Sequence, residues 1–169
     1  MSVIANTTVL SNFAELGELE MLRRLYGEIH VSVEVYREVE AGLEEGYTFY
    51  AEIPRLVDPD SSESWIRLTS LTEKELLLLP SIPTRLHAGE ASSLAIARSR
   101  GWLFLTDDKA ARRYGSGCGI VLSGTLGCLI SGIRRDLWTL ARANECLAQI
   151  IEFGFFAPVA DLADLLDRS

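Results

Sequence analysis

Residues 89–127, GEASSLAIARSRGWLFLTDDKAARRYGSGCGIVLSGTLG, decide the fold. His87 to Arg100 is rich in Ala and Leu and reads as a helix. Gly101 closes it, as the residue that best tolerates the left-handed turn past a helix end. Trp102 to Thr106, WLFLT, is a short apolar run of the kind that a parallel sheet buries on both faces. Asp107 opens a further helix through Tyr114. Gly119 to Leu122 is another apolar strand, and SGTLG leads into a helix that ends at Arg134. Helices alternating with short apolar strands indicate a parallel sheet covered by helices.

The pattern extends toward the N-terminus. Val3 to Asn6 reads as a buried strand, followed by helices over Leu10 to Leu16 and Leu19 to Leu25 that Gly27 stops. Glu28 to Val31 is the next strand. Ser32 suits the cap of a helix through Glu45, with Val35, Val39 and Leu43 every four residues. Gly46 to Ser64 has no single period and contains the aromatic cluster Tyr47, Phe49 and Tyr50. Trp65 to Leu71 alternates like a strand. Thr72 opens a short helix to Leu79, and Pro80 and Pro83 break the chain. Thr139 to Phe153 and Val159 to Leu166 read as two closing helices.

Composition narrows the function classes. The 169 residues fit one domain, and 48% of them are hydrophobic, enough for a sizeable core. The net charge of −8 argues against non-specific wrapping of nucleic acid, which needs a broad basic surface. It leaves room for a local RNA site beside acidic metal ligands, or for a basic protein partner. Cys118, Cys128 and Cys146 are widely spaced and read as reduced thiols of a cytoplasmic protein. The opening MSVIANTTVL has neither the basic region nor the apolar run of a secretory leader, and LLLLP is too short to span a bilayer, so no membrane association is expected.

Topology then directs attention to particular acids. Ligands of an open parallel sheet bind at the carboxyl ends of its strands. Asn6 ends the first strand, and Asp107 and Asp108 end WLFLT. Helices that return to the sheet start at that same rim. Glu90 lies in the first turn of one, and Glu38 about two turns into another. Four carboxylates gathered around Asn6 raise one another's pKa, and a hard divalent cation, Mg²⁺ or Mn²⁺, is the usual remedy. Each acid also has a plainer reading. Asp107 or Asp108 suits a helix cap, Glu90 a helix dipole, Glu38 a solvated face and Asn6 a turn.

Two stretches resemble a known family. VIANTTVLSNFAELGELEMLRRLYGEIHVSVEVYREV, residues 3–39, looks like the opening of PIN-domain proteins, with Tyr36 and Glu38 in their Tyr-x-Glu helix. Residues 89–127 resemble their Gly-Glu-Ala, strand-Asp-Asp-x-x-Ala-Arg and Gly-Thr-Leu-Gly series, close to the VapC toxins. The likeness implies one α/β PIN-like domain over 1–169, three layers around a central parallel sheet. Within it, 44–86 is an insertion-like variable segment and 139–169 the closing helices. It also implies Mg²⁺- or Mn²⁺-dependent cleavage of single-stranded RNA. A small antitoxin protein as partner and a homodimer are expected on the same ground. Glu38, Glu90 and Asp108 would bind the cation, with Asp107 as a neighbouring acid. Thr7 and Thr125 would sit near the metal or the substrate phosphate. The family's first Asp falls on Asn6, whose amide oxygen can ligate a cation but brings no charge and cannot act as a base. The expected consequence is weakened or lost catalysis, which makes an inactive binding or regulatory module the alternative.

Other features take plainer readings. Lys109, Arg112 and Arg113 follow the acidic pair and suit RNA phosphates or a partner, whereas Arg134 and Arg135 suit a helix C-terminus. His30 and His87 form no zinc motif. Gly115, Gly117 and Gly119 lack the spacing of a nucleotide-binding loop. Trp65, Trp102 and Trp138 read as core. Phe153, Phe155 and Phe156 either cap the core or pack on a second subunit.

Overall fold

Val3, Ile4 and Ala5 are all buried, and they form β1 (Val3–Ala5), the middle strand of a five-stranded parallel sheet. The computed structural model describes residues 1–166. β1 lies between β2 (Ile29–Ser32) and β4 (Leu103–Leu105), with Ile4 opposite both His30 and Phe104. β3 (Ile66–Thr69) flanks β2 and β5 (Leu122–Ser123) flanks β4, giving the order β3-β2-β1-β4-β5.

Side-chain alternation divides the core in two. Val3, Ala5, Val31 and Leu105 face one apolar cluster. It is completed by α1 (Thr7–Glu15), α2 (Leu19–Tyr26), α3 (Val33–Glu44), α4 (Ile53–Val57), α8 (Thr125–Arg134) and α9 (Leu140–Glu152). Ile4 and Phe104 face the other cluster, with Leu94 and Ile96 of α6 (Ala88–Arg100) and Ala111 of α7 (Lys109–Gly117). The result is the expected three-layer α/β/α arrangement. Among the described residues, no helix is long and apolar enough to cross a membrane. Cys118, Cys128 and Cys146 are free thiols.

Caps fix several boundaries. Ser32 accepts the Val35 N–H at 3.1 Å, and Thr72 with Glu75 forms a capping box on α5 (Glu73–Leu76). Gly101 ends α6 at φ 66°. Two boundaries differ from the sequence reading. The last strand is Leu122–Ser123 rather than 119–122, because Gly119 takes a positive φ of 72° and Ile120 is buried from a loop. The final helix, α10, spans only Ala163–Leu166. Asp161 there accepts from the Ala163 N–H and from Asn144, which holds the preceding residues in a turn. Residues 167–169, the end of the expected closing segment, lie outside the described residues. The stretch 44–86 contains a 3-10 helix (Thr48–Glu52), α4, β3 and α5.

One buried ion pair ties α5 to α6. Glu75, 1% exposed, meets Arg100 Nε at 2.6 Å, and Arg100 stacks on Trp102. The guanidinium holds the Glu75 carboxyl at about 2, against an ordinary 4.5. A depressed carboxyl stabilises the fold above its unfolded pKa and ceases to do so as pH falls through its folded pKa. Glu75→Gln is therefore expected to cost about 2 kcal/mol at pH 7, the worth of hydrogen bonds to a charged group. The gap to the parent closes as pH falls from about 4.5 toward 2. Urea denaturation across that range checks it, and a pH-independent gap would refute the assignment.

Candidate functional site

The sheet order changes direction between β1 and β4, since β1 leads to β2 on one side and β4 to β5 on the other. The crevice at the carboxyl ends of these two strands is where open α/β sheets place ligands. Asn6 sits at its centre, 1% exposed, with its backbone N–H on the Leu105 carbonyl at 3.1 Å. The Asn6 amide donates to Thr106 Oγ1 at 2.8 Å and accepts from Thr8 Oγ1 at 2.8 Å. Those hydroxyls in turn accept the backbone N–H groups of Asp108 and Asp107, both at 3.2 Å. Asn6 thus clamps the acidic pair from below through two hydroxyls.

Asp107 turns toward α8. It accepts from the Thr125 N–H at 2.8 Å, the Thr125 hydroxyl at 2.5 Å and Asn12 at 3.2 Å. The residue before α8 is Gly124, which has no side chain to cap the helix. Asp107 provides that cap from a neighbouring loop, and the space is tight. A Cβ at 124 would stand 2.5 Å from Asp107 Oδ1 and 3.0 Å from the Thr106 carbonyl. Burial pushes the Asp107 carboxyl up, while the Thr125 bonds and Arg112 pull it back. Arg112 donates to the carbonyls of Thr106 and Ser123, each at 2.9 Å, and so rivets the ends of β4 and β5.

Three other carboxylates, Glu38, Glu90 and Asp108, lie within electrostatic reach of one another at the rim. Glu38 reaches the rim from α3. It accepts from Thr7 Oγ1 and from the Gly89 N–H at 3.0 Å. A Cβ at 89 would lie 2.5 Å from Glu38 Oε1, so any larger residue there would displace the carboxylate. Glu90 caps its own helix, accepting the His87 N–H at 2.8 Å, and Asp108 caps α7 through the Ala111 N–H at 2.6 Å. The Glu90 carboxyl is pushed up, first by burial and then by the charges of Asp108 and Glu38. Among the described residues, Glu90 Oε1 and Asp108 Oδ2 have no hydrogen-bond partner in the protein.

Glu38, Glu90 and Asp108 are thus electrostatic neighbours, Asp107 belongs to a separate network, and Thr7 and Thr125 each support one acid. Lys109 and Arg113 are exposed, and the Lys109 ammonium stands 4.8 Å over the Phe156 ring. Arg135 donates to the Leu25 carbonyl. Sequence reasoning passed over Thr8, Asn12 and Thr106. The only local signal was that Thr8 and Asn12 lie four apart on α1 and share a helix face.

The donors have the right chemistry for a hard cation, but they are not assembled as a cage. Among the described residues, no three acids, histidines or cysteines stand close enough to hold a metal. Both Glu38 oxygens and the Asn6 amide oxygen are already engaged. Glu90 and Asp108, each with one oxygen left over from its cap, suit Mg²⁺, which keeps several waters and takes one or two carboxylates.

A groove of about 670 Å³ opens beside Asp107 and Asp108, floored by α1 and walled by residues 47–50 and 153–156. A second recess of about 560 Å³ lies beyond Phe155 and Phe156 against Gly124 and Leu126. A family model described as a PIN domain matches residues 2–169. No curated protein matches the chain.

Proposed function

Because the chain belongs to the PIN-domain family, a nuclease-type fold whose members generally use divalent metal ions, we propose that it is a Mg²⁺- or Mn²⁺-dependent endoribonuclease. It hydrolyses phosphodiester bonds in single-stranded RNA. In the finer reading it is a cytoplasmic toxin of the VapC type, silenced by a small antitoxin protein and working as a homodimer. The observation that carries the reading is the Glu90–Asp108 pair at the strand ends. Two neighbouring acids keep one oxygen each without a protein donor, and burial, with the charges of Asp108 and Glu38 added, pushes the Glu90 carboxyl up.

A divalent cation bound to Glu90 and Asp108 would supply activated water and neutralise charge developing on the phosphate. Glu38, fixed by Thr7 and Gly89, adds negative charge behind that pair. Asn6 holds Asp108 in place through Thr106. Lys109, next in the chain and exposed, is suited to a phosphate oxygen, as is Arg113.

The test is cleavage of a fluorescent single-stranded RNA in Mn²⁺. Asp108→Asn and Glu90→Gln should each reduce the rate by at least ~10–100-fold. Unchanged cleavage in either variant would overturn the assignment. A second reading, a PIN-domain binding or regulatory module without catalysis, is favoured by the Asn6 amide oxygen being occupied by Thr8. It requires that the parent protein leave the RNA intact in Mn²⁺.

A further inference from the structure

The groove beside the acidic pair has an unusual lining. Tyr47, Phe49, Tyr50, Phe153, Phe155 and Phe156 are its apolar side chains, and among the described residues no aliphatic one lines it. Tyr50 is buried and half-buried Phe49 packs on it, with ring centroids 4.4 Å apart. Phe49 in turn supports Tyr47 at 5.8 Å. One wall is therefore a braced row of rings ending in an exposed one. Tyr47, Phe153 and Phe156 remain 51%, 53% and 75% exposed. Open aromatic faces of this kind are costly in water, and flat partners cover them best.

The floor says how such a partner lies. Thr8, Ser11, Asn12 and Glu15 present one polar face of α1 to the groove. Glu15 and Asp108 line it too and repel phosphates, whereas base edges can hydrogen-bond there. A nucleic-acid strand would place its bases inward and its backbone toward solvent until it reaches Lys109 and the Glu90–Asp108 pair. A groove for a peptide helix or a leucine-type anchor would carry Leu, Ile or Met, and this one has none.

We propose that Tyr47, Phe153 and Phe156 are base-stacking platforms that hold successive bases of a single-stranded RNA and lead its backbone to Glu90 and Asp108. The choice of ligand rests on the ribonuclease reading above.

The experiment measures fluorescence anisotropy of a labelled RNA octamer with the intact protein in EDTA, where no metal-dependent cleavage occurs. Tyr47→Ala and Phe156→Ala should each weaken binding about tenfold, the loss expected from one stacked base. Both residues are exposed, so neither variant should unfold. Phe156→Trp should restore binding, and an abasic strand of equal charge should bind at least tenfold more weakly. Equal binding by the abasic strand, or by a Tyr47→Ala/Phe156→Ala double variant, would overturn the proposal. So would an octamer that fails to bind where an alternating Arg-Phe octapeptide binds. Octamer binding with these losses but no cleavage in Mn²⁺ would support the stacking groove while refuting the ribonuclease reading.

Discussion

Asp107→Ala unfolds with a stability loss of about 3–5 kcal/mol in denaturant titration. The lost charge is the smaller part, since burial already pushes this carboxyl up. The larger part is what truncation leaves behind. The Thr125 hydroxyl is buried, and both it and the Thr125 N–H lose their acceptor, as does one bond of Asn12. Gly124 offers no replacement cap, so the first turn of α8 loses the one side-chain acceptor it has among the described residues. Asp107→Asn keeps the volume but sets its amide against Asn12, and should lose roughly half as much. A cost below about 1 kcal/mol for Asp107→Ala would mean that α8 is seated by its apolar face alone.

Asn6→Asp is expected to make the fold depend on a divalent cation. The new carboxylate can accept from both the Thr8 and Thr106 hydroxyls while these still accept from Asp107 and Asp108, so the clamp survives. The charge, however, is buried at a position 1% exposed, in a crevice that already holds Glu38, Glu90 and Asp108. In EDTA the variant should lose about 2–3 kcal/mol. Burial raises the folded pKa of the new group, so this deficit is present above that pKa and shrinks as pH falls through it. Mn²⁺ should bind ~10–100-fold more tightly than to the parent and recover the loss. Melting curves with and without Mn²⁺ decide. Identical curves for parent and variant would place residue 6 outside the reach of a bound cation.

The sheet and its helices were legible because local chemistry agreed with global packing. Ser32, Thr72 and Gly101 act at the ends where their side chains, or the lack of one, said they would. The rim position of Asp107 and Asp108 followed from strand order. The divergence of these two neighbours did not. One caps its own helix through Ala111, and the other caps a helix that starts at Thr125. Asp107 meets Thr125 only because β4 and β5 pair, and the bonds that frame the two acids, Asn6 with Thr106 and Asn12 with Asp107, join residues about a hundred apart that no period records. Ile120 misled for the opposite reason, since an apolar run gives the same signal whether it lies in a strand or in a buried loop. The aromatic row at 47–50 fell in a stretch without a period, because a 3-10 helix of five residues is too short to display one.

The central place of β1 bears on synthesis. Its three residues are translated about a hundred residues before their partner across the crevice, Leu103–Leu105. At roughly 5–20 residues per second, that strand waits several seconds for its neighbour. Asn6 cannot grip Asp107 and Asp108, nor can Asp107 seat Thr125, until residues 106–125 have been translated. A nascent chain therefore carries scattered acids and no assembled crevice, and whatever chemistry the rim performs begins only after translation has left it behind.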